Sequence, residues 1–333
     1  MTTTTALRMG ILSCADIADR RTAPAMLRAA DIDLVAVAAR DPERAKAFAE
    51  RFSCAAEVGY QELLDRDDLD AVYLPVPTGL HAEWAERSLA AGKHVFVEKP
   101  MAATGGQARH ITRLAAEGGL VLRENYAFLH HAQHREVRRV LAEGTIGRPV
   151  ALTSDFGIPP RPREDIRSDP ALGGGALLDL AGYPLSLARD LFEEELTVAG
   201  AVLRVSRDTG ADVGGGALLT TASGVPVHMT FGFEHAYRSA YTVWGTRGRL
   251  VLDRPYTTPD GYRPVLRIER QDLTEERVLP ADTPFVNALA AFARAVRAGD
   301  GRAGQEAGDE SVCRAELIDR IAELAVRVEE GAS

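Results

Sequence analysis

Apolar runs of strand length recur through the first part of the chain, and helical patterns separate them. The runs cover residues 7–12, 33–39, 70–76, 93–97 and 120–122. Strands that alternate with helices in this way form a parallel sheet. The pattern therefore predicts an α/β domain with a parallel sheet over residues 1–125.

Local signals mark where three helices of this domain begin. Asp41 is a candidate N-cap followed by Pro42 at the first helical position. Residues 104–107 (Thr-Gly-Gly-Gln) have the form of a capping box. A further helix follows residues 77–81 (Pro-Thr-Gly-Leu-His), and Thr78 is a candidate cap for it.

The pattern changes after residue 126. A helix over residues 132–143 should end at Gly144, because glycine is favoured just past a helix C-terminus. Residues 149–157 predict the first strand of a second sheet. Residues 173–175 (Gly-Gly-Gly) allow a close backbone approach before a helix over residues 176–191.

Alternating runs joined by short turns fill residues 197–279 and predict an antiparallel meander. Amphipathic helices over residues 284–297 and 310–328 should pack on the domains. A Gly-rich, charged linker over residues 299–309 should separate them. We therefore expect a second, α+β domain over residues 126–333.

Composition narrows the functional classes. At 333 residues, two domains are expected. The net charge of -9 argues against a nucleic-acid partner or an anionic membrane surface. Cys14, Cys54 and Cys313 have neither disulfide nor metal-ligand spacing, so we expect reduced thiols and a cytoplasmic location. The N-terminus lacks the apolar segment of a signal peptide, and no apolar run has the length of a membrane span.

The turn after the first strand is a candidate phosphate-binding site. Ser13, Ala15 and Ala18 occupy the spacing of the three glycines in a dinucleotide-binding turn. The residues stay small, as a close approach to a pyrophosphate at a helix N-terminus requires. A Gly-poor turn without a ligand is the alternative.

The end of the second strand bears on the choice of cofactor. An NAD-specific site has a carboxylate there for the ribose hydroxyls, whereas this chain has Arg40. A guanidinium group suits a 2′-phosphate, which favours NADP(H). A solvated Arg40 is the alternative, and Asp41 is better explained as a helix cap.

Lys99 comes shortly after the predicted strand 93–97. It therefore lies at the carboxyl end of a parallel strand, which is where open α/β sheets bind their ligands. Pro100 fixes its own φ angle and restricts the residue before it, so the backbone that carries the amine is stiff. The alternative is a strand-ending turn with a solvated lysine.

Four segments together resemble the Gfo/Idh/MocA oxidoreductase family. They are residues 10–18, residues 77–81, Glu98-Lys99-Pro100, and residues 173–183, which read Gly-Gly-Gly-Ala-Leu-Leu-Asp-Leu-Ala-Gly-Tyr. They span most of the chain, and their ordered combination is more specific than any one of them. The resemblance implies an N-terminal Rossmann domain and a C-terminal α+β domain with an open-faced, mostly antiparallel sheet that presents the substrate and often mediates oligomers.

The resemblance also implies that Lys99 is the catalytic lysine, commonly with a cis Lys-Pro bond. Many family members have histidine where this chain has Tyr183. A tyrosine there is similar to nucleotide-sugar 3-ketoreductases of deoxysugar biosynthesis, and also to some diol and aldose dehydrogenases. Residues 128–134 and the Tyr183-Pro184 pair resemble the 3-ketoreductases most closely. This implies NADPH-dependent reduction of the C3 keto group of a nucleotide-linked deoxysugar such as dTDP-3,4-diketo-2,6-dideoxyglucose.

The candidate site residues combine these motifs with the resemblance. The candidate catalytic residues are Lys99, Tyr183 and Asp179. Asp179 and Tyr183 lie four residues apart and so share one helix face, and a core or surface tyrosine is the alternative. The candidate cofactor contacts are Ser13, Cys14, Ala15, Ile17, Arg40, Pro75, Thr78, His81, Glu98, Lys99 and Arg167.

Two further groups of polar residues lie in the second half. Three arginines lie before the glycine run. Their guanidinium groups suit a sugar-linked diphosphate, although a solvated loop would explain them equally well. These are Arg161, Arg163 and Arg167. Three histidines lack a carboxylate or cysteine at useful spacing, so we expect hydrogen bonds to substrate or at the domain junction rather than a metal site. These are His130, His131 and His134.

The expected mechanism is hydride transfer from NADPH to a ketone carbon. Lys99 would stabilise the negative charge that develops on the carbonyl oxygen. Tyr183 would donate the proton, made more acidic by the positive charge of Lys99, with Lys99 itself, a cofactor ribose hydroxyl or water as alternative donors. Asp179 would orient Lys99 or bind a sugar hydroxyl.

Two other functions stay open at this point. One is an NAD(P)-dependent dehydrogenase of free sugars, inositols or diols, and the other is a non-catalytic NADP-sensing regulator. The intact Glu98-Lys99-Pro100 segment and Tyr183 argue against the regulator. We expect a small-molecule substrate and a homo-oligomer, either dimer or tetramer.

Overall fold

The computed structural model describes residues 6–162, 164–299 and 301–330. They divide into two units. The first contains Met1–Tyr126 and Phe285–Ala315, and the second contains Ala127–Pro284 and Glu316–Ser333. The first boundary lies within two residues of the predicted one. The grouping of Phe285–Ala315 with the first unit differs from the prediction, which placed the whole chain after residue 125 in the second domain.

Six parallel strands form the sheet of the first unit, in the order β3-β2-β1-β4-β5-β6. The strands are β1 (Leu7–Leu12), β2 (Ile32–Ala39), β3 (Ala55–Val58), β4 (Ala71–Leu74), β5 (His94–Glu98) and β6 (Leu122–Asn125). This order, which reverses between β1 and β4, is that of the Rossmann fold. The predicted Rossmann domain is confirmed.

The edge strand β3 is not among the predicted strands. Its residues alternate between half-buried and exposed positions. This edge strand therefore has no continuous apolar run that would predict it. In β4, by contrast, all four residues are buried and form such a run.

Helices connect the parallel strands. They are a π-helical turn (Ala18–Thr22), α1 (Ala23–Arg28), α2 (Pro42–Phe52), α3 (Tyr60–Leu64), α4 (His81–Ala90) and α5 (Gly105–Glu117). Asp41 caps α2 as predicted, because its Oδ1 accepts hydrogen bonds from the backbone N–H groups of Glu43 at 2.9 Å and Arg44 at 3.3 Å. Asp41 is therefore a structural residue of the helix.

The predicted cap of α5 is confirmed, and that of α4 is wrong. Thr104 Oγ1 accepts from the backbone N–H of Gln107 at 3.2 Å, and Gln107 Oε1 accepts from that of Ala103 at 3.1 Å. Before α4, Thr78 lies within a 3-10 turn, and its carbonyl accepts the N–H of His81. Because this turn leads directly into the helix, no side chain is needed as a cap.

Nine strands form the sheet of the second unit, in the order β14-β13-β12-β11-β7-β10-β9-β8-β15. They are β7 (Pro149–Gly157), β8 (Leu196–Ser206), β9 (Asp212–Thr221), β10 (Pro226–Gly232), β11 (Arg238–Gly245), β12 (Arg249–Asp253), β13 (Val265–Arg270), β14 (Leu273–Val278) and β15 (Ala325–Glu330). Neighbouring strands are antiparallel except for β7–β10 and β8–β15. The predicted mostly antiparallel sheet is confirmed.

Three helices of the second unit are α6 (Ala132–Ala142), α7 (Ala176–Leu180) and α8 (Gly182–Phe192), and α7 and α8 contact one face of the sheet. The predicted single helix over residues 176–191 is split at Ala181. Pro184 lacks an N–H group and cannot bond the Leu180 carbonyl, which interrupts the helical hydrogen bonds at this point.

The C-terminal segment departs most from the prediction. The two helices are α9 (Pro284–Ala298) and α10 (Gly301–Leu324). Helix α10 begins within the predicted linker, so the last helix starts earlier in the chain than predicted. Gly308 faces α5, where a Cβ atom would lie 2.6 Å from Thr112 Cγ2, so this glycine permits close helix packing. The last residues form β15, parallel to β8, instead of continuing the helix to residue 328.

Within the described ranges, no helix combines the length and the apolar character that crossing a membrane requires.

Candidate active site

The carboxyl ends of the parallel strands bring most of the predicted cofactor residues to one edge of the first sheet. Ser13 to Ala15 follow β1, Arg40 follows β2, Pro75 follows β4, and Lys99 follows β5. The sheet order reverses between β1 and β4, and ligands of such sheets bind beyond the strand ends at this point. The order of the strands thus supports a dinucleotide site here.

The turn after β1 has the backbone of a glycine turn. Ser13 has a φ of 132°, a region in which residues other than glycine are strained. Cys14 and Ala15 are half-buried, and Ile17 directly precedes the π-helical turn as its N-cap residue. The conformation of the first glycine is therefore kept, although its residue type is not.

Arg44 supports this turn and is absent from the sequence-based candidates. Its Nη2 donates to the Cys14 carbonyl at 2.9 Å, while Cys14 Sγ donates to the Arg44 carbonyl at 3.5 Å. Burial raises the pKa of the Cys14 thiol above its ordinary value. Nothing in the local sequence marks Arg44, because the contact joins α2 to a turn thirty residues earlier.

Arg40 is exposed at the end of β2. The carboxylate next to it, that of Asp41, faces the N-terminus of α2 and is used there as a cap. An exposed guanidinium group without a ribose-binding carboxylate beside it fits an anionic 2′-phosphate.

His81 supports the same edge of the sheet from inside. It is 1% exposed, and its ring nitrogens lie 2.7 Å from the carbonyl oxygens of Pro100 and Val76. Burial lowers the pKa of His81, and the two carbonyl acceptors oppose that shift. Both nitrogens face backbone carbonyls of the first unit, and the neutral ring donates to one of them, so His81 contacts the Lys99-Pro100 turn from inside; its role toward a cofactor stays a prediction.

Lys99 is half-buried, and its peptide bond to Pro100 is cis, as the resemblance implies. The preceding residue, Glu98, is buried at the end of β5. Its Oε1 accepts from Tyr73 Oη and from Asn125 Nδ2, both at 2.6 Å. The side chain of Glu98 is thus fixed on two sides by neighbouring strands.

A second carboxylate holds the other side of the lysine turn. Glu124 Oε1 accepts the backbone N–H of Met101 at 2.8 Å, and Glu124 Oε2 pairs with Arg314 of α10 at 2.5 Å. The guanidinium carbon of Arg314 lies 4.5 Å from the ring centroid of Tyr126. A buried ion pair is costly to break, so it fixes the backbone next to Pro100 firmly. Sequence reasoning missed these residues because their partners lie far apart in the chain.

Tyr183 lies in an aromatic cluster of the second unit. Its ring centroid is 5.5 Å from that of Phe128, 4.9 Å from that of Phe156 and 5.5 Å from that of Tyr256. Tyr256 is fixed in turn by a hydrogen bond between its hydroxyl and that of Ser154. The cluster holds the phenol ring rigidly, as a residue with a directed hydroxyl group requires.

Asp179 pairs with a nearby arginine in the same unit. Arg167 Nε donates to Asp179 Oδ2 at 2.9 Å, and Arg167 Nη1 donates to Asp165 Oδ1 at 3.0 Å. Burial lowers the pKa of Arg167 and the two carboxylates raise it, with a net upward shift. Asp179 and Arg167 therefore form an ion pair in the structure. A catalytic role for Asp179 and a cofactor contact for Arg167 were predicted from the sequence. Arg161 is exposed near Asp165, and Arg163 lies outside the described residues.

The glycine run 173–175 fits closely between this loop and β9. A Cβ atom on Gly174 would lie 2.5 Å from the Arg167 carbonyl oxygen. Gly175 has a φ of 118°, and a Cβ atom there would collide with Asp212, whose Oδ2 accepts from the backbone N–H of Leu177 at 2.6 Å. The predicted close backbone approach is confirmed.

The histidines were predicted to form hydrogen bonds to substrate or at the domain junction, and His134 is too buried to reach a substrate. His134 is completely buried, and burial lowers its pKa to about 3. His131 is also buried, and its Nδ1 accepts from the backbone N–H of Gln133 at 3.0 Å, which caps α6. In the described part of the chain, no three histidine, cysteine or carboxylate side chains are grouped so that they could hold a metal ion.

Comparison with known proteins identifies the family of both parts of the chain. A model of an oxidoreductase family with an NAD-binding Rossmann fold matches residues 7–126, and one of the Gfo/Idh/MocA C-terminal domain matches residues 134–251. The dTDP-3,4-didehydro-2,6-dideoxy-α-D-glucose 3-reductase of Streptomyces antibioticus is 49% identical over 319 residues, which is 96% of this chain and 97% of that one. The reductase of the same name from Streptomyces violaceoruber is 49% identical over 330 residues, 97% of this chain and 96% of that one.

A solved structure gives the same result in three dimensions. KijD10, a 3-ketoreductase from Actinomadura kijaniata in complex with NADP and TDP-benzene, matches with a TM-score of 0.95 and 45% identity. The match covers 98% of this chain and 100% of that one. The chain therefore belongs to the Gfo/Idh/MocA family of oxidoreductases.

Proposed function

We propose that this protein uses NADPH to reduce the C3 keto group of dTDP-3,4-didehydro-2,6-dideoxy-α-D-glucose or a closely related nucleotide sugar. The observation that carries the proposal is similarity at 45–49% identity over nearly the whole length of both chains to 3-reductases of this kind. The lysine turn and Tyr183 lie within the matched length. The similarity therefore covers both units and includes the candidate catalytic residues. It supports a shared activity and not only a shared fold.

NADP(H) fits the first unit on two observations. Ser13 has a glycine-like φ in the turn after β1, where a dinucleotide pyrophosphate binds in this fold, and exposed Arg40 follows β2 without a competing carboxylate. Ser13, Cys14 and Ala15 would hold the pyrophosphate and Arg40 the 2′-phosphate. NADPH, when bound, supplies the hydride.

Lys99 stabilises the negative charge that develops on the substrate carbonyl oxygen as the carbonyl is reduced. A preorganised cation is effective because it needs no reorganisation when the charge appears. His81 and Glu124 hold the Pro100–Met101 peptide, which follows the lysine, through its carbonyl oxygen and its N–H group. The ammonium group is thus carried on a backbone that is held in place.

Tyr183 donates the proton that the carbonyl oxygen takes up. Its ring is held by three aromatic neighbours, so its hydroxyl has one preferred position. The Arg167–Asp179 pair lies in the same unit, and we propose that Arg167 binds a phosphate group while Asp179 fixes the guanidinium. Conversion of Tyr183 to Phe should lower kcat far more than KM, because only the proton transfer is lost.

A thermal melt tests the substrate class directly. The NADPH-loaded protein is melted with TDP, UDP or free glucose, and NADH replaces NADPH in a parallel control. A ligand that binds only the folded state raises Tm by mass action. We expect TDP to raise Tm beyond NADPH alone. Stabilisation by a free sugar but by neither nucleotide would instead support a free-sugar dehydrogenase.

We also propose that the protein is a homo-oligomer that associates through the open face of the second sheet. Exposed apolar side chains from four strands share this face, and the strand register aligns them. They are Val202, Leu218, Trp244, Val326 and Val328, with Trp244 61% and Val326 64% exposed. An exposed apolar patch of this kind suits a second copy of the same surface. Sedimentation equilibrium of the wild type and of Trp244→Glu tests this, with a monomeric variant expected.

The cytoplasmic location stays a prediction from the cysteine pattern.

A further inference from the structure

A directed chain of hydrogen bonds ends on the carboxylate next to Lys99. Thr22, in the π-helical turn, donates from Oγ1 to Tyr73 Oη at 2.9 Å, and Tyr73 donates to Glu98 Oε1 at 2.6 Å. Asn125 donates to the same oxygen from β6 at 2.6 Å. Every donor points toward Glu98, so the chain stabilises negative charge on that oxygen.

Burial acts against this charge. Glu98 is 8% exposed, and burial raises its pKa above the ordinary value, whereas Tyr73, Asn125 and Lys99 act in the opposite direction. Among the described residues, the titratable or charged groups that act on Glu98 are Tyr73 from β4 and the adjacent Lys99, while Thr22 and Asn125 are uncharged. The protonation state of Glu98 therefore depends on a few identified donors.

Tyr73 has no other apparent task at the site. It is completely buried on β4, so it reaches no ligand. Burial and the Glu98 charge raise the pKa of Tyr73 well above its ordinary value, which keeps its hydroxyl a donor. A purely apolar strand would have a phenylalanine here, which would leave Glu98 with one donor fewer.

We propose that Tyr73 and Thr22 are positioning residues for Lys99, because they keep Glu98 ionised and fixed beside the lysine. An ionised Glu98 holds the neighbouring ammonium group charged and directs it. This inference rests on the proposed role of Lys99. Tyr73 and Thr22 touch no reacting atom and act only through Glu98.

The test measures the protonation of Glu98 without substrate. The infrared C=O band of the protonated carboxyl is assigned by its loss in Glu98→Gln and is then titrated in Tyr73→Phe and Thr22→Val. Thr22→Ser keeps the hydroxyl and serves as the conservative variant. Tyr241→Phe is the matched control, because Tyr241 is also buried but its hydroxyl has no hydrogen-bond partner among the described residues. Circular dichroism shows whether each variant is folded.

We expect the Glu98 band of Tyr73→Phe to titrate about one to two pH units higher than in the wild type, because a charge-assisted hydrogen bond is lost. Thr22→Val should shift it in the same direction by less than about one unit. Thr22→Ser and Tyr241→Phe should match the wild type. The acid limb of kcat/KM should move with the band, while KM for NADPH stays unchanged.

An unshifted band in folded Tyr73→Phe would overturn the inference, and so would a shifted band with an unshifted acid limb. If Tyr73→Phe does not fold, Thr22→Val decides by the same criteria. Failure of the proposed function is a separate result. It would appear as full turnover by Lys99→Ala, whatever the infrared titration shows.

Discussion

Acidification should destabilise this protein through one buried histidine. His134 is completely buried, and burial lowers its pKa from 6.5 to about 3. Between these values the unfolded chain binds a proton that the folded chain does not. The folded-state pKa is depressed, so the stability linked to His134 is complete above about pH 6.5 and is lost as the pH falls toward 3.

The magnitude follows from the linkage relation. Each pH unit below the unfolded pKa costs about 1.4 kcal/mol until the folded pKa is reached. Between pH 7 and pH 5, His134 should therefore remove about 2 kcal/mol from the free energy of unfolding. Buried His81 and His131 also have lowered pKa values, so the total loss in the wild type should exceed this share.

The substitution His134→Phe isolates the effect. The ring of His134 packs at 5.3 Å from Phe128 and 6.1 Å from Tyr241, and an aromatic replacement keeps these contacts. The free energy of urea unfolding is measured at pH 7 and pH 5 for the wild type and the variant. We expect the variant to lose about 2 kcal/mol less on acidification. His110→Gln, at an exposed position, should behave as the wild type. Equal losses in the wild type and His134→Phe would refute the reasoning.

Three other substitutions test separate parts of the structure. Ser13→Gly should raise the free energy of unfolding by about 1 kcal/mol, because relief of the φ strain exceeds the added chain entropy, and a lower urea midpoint would contradict this. Gly174→Ala should lower Tm, since its Cβ atom would press on the Arg167 carbonyl, whereas Gly106→Ala in α5 should not, because its Cβ atom would make only an ordinary contact with Thr104 Oγ1 at 3.9 Å. Arg40→Ser should weaken NADPH binding by about 10- to 100-fold and leave NADH binding unchanged, as measured by fluorescence titration. Equal weakening of both cofactors would show that Arg40 does not read the 2′-phosphate.

The first unit could be predicted well from the sequence because its signals are local. Buried parallel strands appear as continuous apolar runs, and Asp41 and Thr104 mark helix starts through bonds to residues two or three positions later. The position of Lys99 at a strand end follows from the same pattern. The edge strand β3, which is half-exposed, was not predicted.

The errors arise where distant contacts override local preference. Gly308 indicates a linker locally, but it lies within α10 because a helix of the same unit packs closely against it. Residues 325–328 are predicted as the end of a helix, but pairing with β8 makes residues 325–330 a strand. In the hydrogen-bond chain that ends on Glu98, Thr22 and Tyr73 lie 51 residues apart in the sequence, and Tyr73 and Glu98 lie 25 apart. No local sequence pattern connects them.

The most direct test of the central claim is the reaction itself. The wild-type protein is incubated with NADPH and dTDP-3,4-didehydro-2,6-dideoxy-α-D-glucose, NADPH oxidation is followed by absorbance, and the product is identified by NMR. We predict one NADPH oxidised per sugar, an alcohol at C3, and a loss of at least about 100-fold in kcat for Lys99→Ala. Reduction at C4 instead of C3, or no reduction by the folded, NADPH-binding wild type, would contradict the account.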